Sequence, residues 1–387
     1  MTDLKKYGFL SLIGILLVAA IVFLFVKDDD SKEKETEQAN QEQNNEPDAV
    51  QVFEESIEVV ASDDGNINAN KLFIPWTINK TEGTFYLSQR DGTVVEIDGD
   101  LGLVDVQDVE LSEEIFHKGE AGFLGFTLAP NFEESKGAIA YHTYEKDGEI
   151  LNRIVSLVLD GSTWKEQKVI FDNIPGGEKD TGGRIAIGPD EKLYVTTGVV
   201  GENELAQELD SLAGKILRME LNGDMPSDNP FEDSYVFSYG HRNSQGLTWD
   251  GQGNMYNSEH GEDGFDEINL IEAGKNYGWP EIRGDEKEEG METPLAHSGD
   301  KTWAPSGVGF SEGKLYVASL AGKKIFTYDI ATKAIADFYD EAGRLRDVFI
   351  EDDALYVVTS NQDNRGEPTD KDDRLIHIPL VEKTSAN

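Results

Sequence analysis

Two stretches, GVGFSEGKLYVASLAG at residues 307–322 and RDVFIEDDALYVVTSN at residues 346–361, decide the fold class. Each contains an apolar segment, a short acidic turn and a second apolar segment with a Leu-Tyr-Val sequence. Alternating apolar segments on both sides of a polar turn predict a β-hairpin. GRIAIGPDEKLYVTTG at residues 183–198 repeats the pattern. The sequence therefore predicts a protein built from repeated hairpins.

The same pattern recurs through most of the chain. Three further segments, at residues 73–97, 123–145 and 246–261, also combine a strand, a turn and a second strand. The starts of the six segments are about 40 to 60 residues apart, a period that is typical of propeller blades when the repeat contains only strands. We predict an all-β fold, a six-bladed β-propeller over residues 51–383, because two β-sandwiches give no reason for a sixfold repeat.

The N-terminal part of the chain has a different composition. Residues 8–26, GFLSLIGILLVAAIVFLFV, contain no charged residue and are long enough to span a bilayer as a helix. Lys5 and Lys6 precede this segment, which favours an N-terminus inside the cell. We predict a membrane anchor at residues 1–27 and a single-pass protein with its propeller outside. The alternative is a signal segment, whose cleavage gives a secreted protein.

The composition of residues 28–50 predicts a disordered acidic linker. Residues 28–48 contain one Ala and no larger apolar residue, so this segment has too little apolar surface to form a core. We also predict a short tail at residues 384–387.

The composition of the whole chain excludes several classes of function. The chain has 387 residues, with 34 Lys and Arg against 76 Asp and Glu, and its net charge of −42 argues against a nucleic-acid partner. The absence of Cys excludes disulfides, thiolate metal sites and a cysteine nucleophile.

Polar residues are most concentrated between residues 239 and 280. Arg242, Asn243 and Gln245 lie in one loop, and Gly261 and Glu262 follow the next strand, where backbone carbonyl groups suit Ca²⁺. Further along, GRLRDV places two arginines on the same face of a strand, at 344 and 346. Such a pair favours a polyanionic ligand, and the alternative is neutralisation of nearby acidic residues.

Together these motifs resemble the soluble pyrroloquinoline quinone (PQQ)-dependent glucose and aldose sugar dehydrogenases, the glucose/sorbosone dehydrogenase group. The resemblance extends from about Phe73 to Ile378. It depends on seven stretches in family order: EAGFLGFTLAPNF, GGRIAIGPDEKLYVTTG, LAGKILRMELNGDMPSDNPF, YGHRNSQGL, SEHGEDGFDEINLIEAGKNYGWP, APSGVGF and GRLRDV. The family fold is a six-bladed propeller, which agrees with the repeat count.

The resemblance implies PQQ and Ca²⁺ as cofactors. It assigns seven residues to the quinone: Glu120, Arg242, Asn243, Gln245, Thr302, Arg344 and Arg346. Gly261 and Glu262 match the pair whose main-chain oxygens hold the catalytic calcium ion, and Glu267 and Tyr277 match a pair that holds a structural calcium ion in some relatives.

The implied reaction is oxidation of an aldose to a lactone, with hydride transfer to the quinone and an unnamed electron acceptor. Arg242 and a base would be the catalytic residues. The family base is a His four residues before the Arg of GGR, but here Asp180 stands at that position. Val199 replaces the Asp that orients the family His, and Ala321 replaces a Lys that contacts the cofactor in some relatives. Lys323 or Lys324 would then reach the cofactor instead.

Two hypotheses follow from these departures. The first is a PQQ-dependent aldose dehydrogenase in which Asp180 is the base, or in which His241 or His260 substitutes for it. The second is a catalytically silent propeller that keeps the cofactor pocket as a cell-surface binding module. The retained arginines favour the first, and the joint loss of the His and its Asp favours the second.

Overall fold

A computed structural model describes residues 56–61 and 67–380. In this part of the chain the fold is all-β, as predicted, with one short α-helix, α1 (Phe132–Ser135), and one 3₁₀ helix (Asn203–Gln207). In chain order the strands are β1 (Glu58–Ala61), β2 (Ile67–Asn70), β3 (Pro75–Thr81), β4 (Thr84–Gln89), β5 (Thr93–Asp98), β6 (Val104–Glu110), β7 (Phe123–Leu128), β8 (Gly137–Lys146), β9 (Glu149–Asp160), β10 (Thr163–Pro175), β11 (Gly182–Ile187), β12 (Leu193–Thr197), β13 (Lys215–Met219), β14 (Val236–Tyr239), β15 (Asn243–Trp249), β16 (Met255–His260), β17 (Glu267–Ile271), β18 (Ala296–His297), β19 (Pro305–Ser311), β20 (Lys314–Ser319), β21 (Lys324–Asp329), β22 (Ile335–Tyr339), β23 (Leu345–Glu351), β24 (Ala354–Thr359) and β25 (Leu375–Pro379).

The strands form antiparallel four-stranded units that follow one another along the chain. Three sheets contain β11 to β14, β15 to β18 and β19 to β22, each in consecutive order. A larger sheet has the order β3-β4-β5-β6-β10-β9-β8-β7, and within it only β6 and β10 pair in parallel. This sheet is therefore two four-stranded units joined through their fourth strands.

The first strands of these units form a closed ring. β3 contacts β7, β7 contacts β11, and the succession continues through β15, β19 and β23, which contacts β3 again. The sixth unit combines both ends of the described chain, because its sheet has the order β1-β2-β25-β24-β23. Ala69 of β2 pairs with Leu375 of β25 across this junction.

Local sequence explains both the hairpins and their packing. In the β3–β4 turn, Glu82 and Gly83 have φ values of 45° and 86°, and a two-residue turn with both φ values positive matches the twist of the strands it joins. Apolar side chains pack between neighbouring sheets: Phe85 of β4 contacts Tyr356 of β24 with ring centroids 4.7 Å apart. Burial of such faces is the main driving force for sheet packing.

No helix within residues 56–61 and 67–380 is long and apolar enough to cross a membrane. Most of the buried apolar residues of this part lie in strands. The predicted single-pass membrane location is corrected on this finding and is not carried further; the secreted alternative depends on residues 1–27, which are not described. The predicted anchor at residues 1–27, linker at 28–50 and tail at 384–387 lie outside the described residues.

Candidate cofactor site

A cavity of about 550 Å³ lies at the end of the ring where the first strands begin. Because all six first strands start at this end, the loops that precede them contribute their side chains to one cleft. Eight of the residues predicted to form the site line it: Glu120, Asp180, Arg242, Gly261, Gln245, Thr302, Arg344 and Arg346. The ring therefore brings together residues that are up to 226 positions apart (346 − 120) in the sequence.

The remaining predicted residues lie outside the cleft surface. Asn243 is buried directly behind it, where its amide oxygen accepts a hydrogen bond of 3.0 Å from the backbone N–H of Gly182. Glu262, Glu267 and Tyr277 line a separate cavity of about 10 Å³, to which Gly261 and Arg242 also contribute. The predicted structural calcium pair thus lies outside the cleft, although Arg242 lines both cavities.

Arg344 and Arg346 are both buried at the start of β23 but differ in their partners. The Arg344 Nη2 atom lies 2.9 Å from the Asp363 carboxylate. Arg346 donates to the Gln245 side-chain oxygen at 2.9 Å and the Ser306 hydroxyl at 3.2 Å, and its buried Nε has no hydrogen-bond partner. Burial lowers the pKa of Arg346 to about 9, so this guanidinium is a cation at neutral pH with room for an anionic ligand.

Trp76 lines the cleft and packs against two buried arginines, Arg346 and Arg184. The guanidinium of Arg184 lies 4.3 Å from the Trp76 ring centroid, and that of Arg346 lies 5.6 Å from it. Arg184 also forms a 3.2 Å ion pair with Asp347. Cations stacked over an aromatic face are attracted by its quadrupole. These contacts hold positive charge at the centre of a chain whose net charge is −42.

Asp180, the residue at the predicted base position, lies on the opposite wall of the cleft. Arg242 contacts both of its carboxylate oxygens at 3.0 Å, and Asn243 donates to it at 3.3 Å. Burial raises the pKa of Asp180, while Arg242 opposes this shift by favouring the ionised form. The side chain is therefore held in one orientation and faces the cleft with the raised pKa expected of a base.

Val199 does not take over the role of the aspartate that it replaces. It is fully buried and packs with Ala206 and Trp279, and its backbone N–H donates to the Arg242 carbonyl at 3.0 Å. The partners that orient Asp180 are Arg242 and Asn243 instead. Both residues were predicted as cofactor contacts and not as partners of the base.

The two histidines considered as substitute bases occupy different environments. His260 lines the cleft, and its buried Nε2 atom has no hydrogen-bond partner. Burial lowers its pKa to about 4, so the ring is neutral at pH 7. His241 is fully buried, bonded to Glu259 at 2.8 Å and to Ser238 at 2.8 Å. It therefore lies away from the cleft and does not face a substrate.

The groups predicted to bind calcium have other partners or carry a proton in this structure. The Gly261 carbonyl is a hard oxygen on the cleft wall, as calcium prefers, but it accepts a 2.9 Å hydrogen bond from Arg242. Burial and the nearby Glu259 raise the pKa of Glu267 to about 8, which leaves it largely protonated at pH 7. The Tyr277 hydroxyl donates to the Leu270 carbonyl at 2.6 Å. Across residues 56–61 and 67–380, no three His, Asp or Glu side chains form a metal-binding group.

Besides Trp76, the cleft residues that were not predicted from the sequence include three charged residues. Asp266 accepts hydrogen bonds from the backbone N–H of Gly261 at 3.0 Å and of Ala304 at 2.8 Å, and so joins two walls of the cleft. Asp363 pairs with an arginine of the cleft, as described above, and Arg365 forms a 3.0 Å ion pair with Glu120. All three lie in loops of an acidic chain, where one more charged residue carries no signal in a single sequence.

The lysines expected to compensate for Ala321 do not reach the cleft. Lys323 lies 3.6 Å from Glu367, and Lys324 lies 2.6 Å from Asp337 on β22. Ala321 itself lines the cavity. That expectation is therefore wrong, because both lysines pair with acidic residues outside the cleft.

The sequence and structure identify the class of protein. The family model for glucose/sorbosone dehydrogenases matches residues 72–367, and the chain belongs to this family. The chain is similar to the PQQ-bound aldose sugar dehydrogenase of Streptomyces coelicolor, with 36% identity, a TM-score of 0.75, and coverage of 83% of this chain and 97% of that one.

Two curated relatives carry related names. The quinoprotein glucose dehydrogenase B of Acinetobacter calcoaceticus is 32% identical over 229 residues, which are 50% of this chain and 48% of the relative. The aldose sugar dehydrogenase YliI of Escherichia coli is 29% identical over 284 residues, which are 64% of this chain and 76% of the relative. The match thus spans about half the length of the Acinetobacter protein.

Proposed function

We propose that this protein oxidises an aldose sugar to its lactone with PQQ and calcium as cofactors. The observation that supports the proposal most directly is the cleft itself, in which Arg346 presents a buried cation with an unpartnered Nε. A flat ligand with several carboxylates matches such a site because it supplies the missing anionic partners. The relatives named for PQQ and for aldose or glucose oxidation support the same choice.

The fold in this proposal is a six-bladed β-propeller over residues 51–383. The closed ring of first strands supports this assignment, as does the repeated four-stranded unit. In a propeller, the loops at one end of the central channel form a natural binding site, and the cleft lies at that position.

The cofactor residues of the proposal are those that line or support the cleft. Arg344 and Arg346 would hold carboxylates of PQQ, and Gln245 keeps the Arg346 guanidinium in place through its 2.9 Å hydrogen bond. Thr302 is fixed by a 3.1 Å hydrogen bond to Asp266. When bound, the quinone supplies a hydride acceptor and calcium supplies a Lewis acid.

Calcium is proposed at the carbonyl oxygens of Gly261 and Glu262, and a structural calcium ion at Glu267 and Tyr277. The Gly261 carbonyl supports the first position, since it is a hard donor on the cleft wall. For an ion to bind there, Arg242 has to release this carbonyl. At the second position an ion has to displace the proton that the raised pKa of Glu267 retains.

Asp180 is the proposed base. Its carboxylate would take the proton of the sugar hydroxyl, and the quinone would supply the acceptor for the hydride of the same carbon, so that the sugar loses two electrons and two hydrogens and becomes the lactone. Arg242 assists by keeping Asp180 ionised through contacts at 3.0 Å with both oxygens.

Calorimetric titration with PQQ in the presence of Ca²⁺, followed by dye reduction with a panel of aldoses, tests the proposal. Binding with turnover is the expected result. Binding without turnover would overturn the enzymatic assignment and leave a silent propeller with a retained pocket. The absence of PQQ binding would overturn the cofactor assignment as well.

A further inference from the structure

An ion pair crosses the mouth of the cleft. Arg365, in the loop after β24, lies 3.0 Å from Glu120, in the loop before β7, although the two residues are 245 positions apart. The Arg365 side chain is 57% exposed and that of Glu120 is 20% exposed, so the arginine covers the carboxylate from the solvent side. Both residues line the cleft.

The second oxygen of Glu120 points to the proposed base. It accepts a 3.1 Å hydrogen bond from the backbone N–H of Asp180 and a 3.5 Å contact from the Asn243 amide. The same amide donates to the Asp180 carboxylate at 3.3 Å. Glu120 and Asp180 therefore share one amide group, and the orientation of one carboxylate constrains the other.

The position of Arg365 is fixed from the cofactor side. Its backbone N–H donates to Asp363 at 2.8 Å, and the other oxygen of Asp363 accepts from Arg344 at 2.9 Å. A continuous series of contacts thus runs from the arginine proposed to hold the cofactor, through Asp363 and Arg365, to Glu120 and the base. The loop that contains Glu120 is held from below by Arg90, which donates to the carbonyls of Gly119 and Ala121.

We propose that Arg365 is a positioning residue for Asp180: its guanidinium holds the Glu120 carboxylate, which in turn orients the Asp180 backbone and the amide that both carboxylates share. The inference rests on the proposed function for the role of Asp180 as base. Arg365 itself does not contact Asp180. Its side chain also makes no contact with Arg344 or Arg346, the arginines proposed to hold the cofactor.

Several charged groups influence the ionisation of Asp180 and Glu120. Arg242 and Lys179 favour the ionised form of Asp180, whereas Glu120 opposes it. Burial alone would raise the pKa of Glu120, but the charge and hydrogen bond of Arg365 and the hydrogen bond from the Asp180 backbone lower it overall. Removal of Arg365 leaves the negative charge of Glu120 less compensated, so the Asp180 carboxylate should become harder to ionise. Removal of the Glu120 charge should have the opposite effect.

The first test uses the full chain without cofactor. Aspartate side chains are labelled with ¹³C at the carboxyl carbon, the Asp180 signal is assigned with Asp180→Asn, and its pH titration is followed by NMR. We expect the midpoint to move to higher pH in Arg365→Gln, to move to lower pH in Glu120→Gln, and to return towards the wild-type value in Arg365→Lys. An unchanged midpoint in Arg365→Gln would overturn the proposal.

Turnover gives the second readout. Arg365→Gln should lower kcat by about 10- to 100-fold, the cost of a misplaced catalytic group, with a much smaller change in PQQ affinity. In a Glu120→Gln background the same substitution should have no further effect, since Arg365 acts through Glu120. An equal loss of kcat in both backgrounds would contradict the inference.

Lys323→Gln is the matched control, because Lys323 is an exposed cation paired at 3.6 Å with Glu367 outside the cleft. The Asp180 titration midpoint and kcat should both stay at wild-type values in this variant. A change as large as that of Arg365→Gln would show that loss of any surface cation has the same effect, and would overturn the proposal. If the NMR midpoint moves as expected while the wild-type protein shows no turnover, the positioning role holds and the proposed function fails.

Discussion

Replacement of Asp180 by Asn removes the proposed base and preserves its shape. The amide cannot accept a proton at neutral pH, so the expected loss in kcat is about 10²- to 10⁴-fold, the usual contribution of a general base. PQQ affinity should change by less than about threefold, or roughly 0.7 kcal/mol, because the carboxylate pairs with Arg242 and not with the arginines of β23.

The fold should tolerate this substitution. Burial raises the pKa of Asp180, so its ionised form costs folding free energy at neutral pH, and the neutral amide avoids that cost. Arg242 keeps its hydrogen bond to the Gly261 carbonyl at 2.9 Å. Urea unfolding should therefore give a free energy of unfolding within about 1 kcal/mol of the wild-type value.

The assay combines calorimetric PQQ binding with dye reduction at saturating aldose. In the wild-type protein kcat/KM should rise with pH through the raised pKa of Asp180, because the base acts in its ionised form. Asp160→Asn is the control, since its exposed side chain pairs with Lys165 at 2.7 Å outside the cleft and should leave kcat unchanged. Turnover of Asp180→Asn within a factor of three of the wild-type value would refute the assignment of the base.

Three further predictions test the cofactor site and the fold. Arg346→Gln should weaken PQQ binding by about 100-fold in calorimetry, because it removes a buried charge-assisted contact, and a change below threefold would contradict the site. His142 accepts a 2.8 Å hydrogen bond from the charged guanidinium of Arg153, and burial lowers the pKa of His142 to about 3. The folded state therefore favours the neutral ring. The free energy of unfolding is unaffected by this group above the ordinary His pKa of 6.5 and falls as the pH drops below that value. In urea unfolding, His142→Gln should therefore lose about 2 kcal/mol less than the wild-type protein between pH 7 and pH 5, and equal losses would refute the assigned cause. Gln107→Leu should cost about 1–3 kcal/mol, because it leaves the indole N–H of fully buried Trp164 without its acceptor at 2.8 Å, and an unchanged denaturation midpoint would contradict this.

The repeated hairpins could be predicted because their pattern is local. The segments around Tyr194, Tyr316 and Tyr356 each form two adjacent antiparallel strands, as the sequence indicated. The pairing of Ala69 with Leu375 could not be predicted, since it joins strands from opposite ends of the described chain and leaves no local signal. The parallel contact between β6 and β10 is also non-local.

In the candidate site, too, local features could be predicted from the sequence and contacts between distant loops could not. Arg344 and Arg346 were predicted to share a strand face, and both line the cleft, although Arg344 precedes β23 and the pairing of β23 with β24 is irregular between Leu345 and Asp347. The contacts that orient Asp180 depend on how three loops meet, and no spacing rule relates Glu120 to Arg365. The separation of Glu267 from the cleft likewise depends on the direction of β17 and not on its sequence.

The last sheet combines strands from both ends of the described chain, and this has a practical consequence for truncation. The family match begins at residue 72, yet β1 and β2 end at residues 61 and 70 and form the outer side of that sheet. A protein that starts at residue 72 would lose both strands and expose the unpaired backbone of β25 along a new sheet edge. Such edges recruit strands from other molecules, so this shortened form is expected to aggregate even though every residue of the proposed cofactor site is still present.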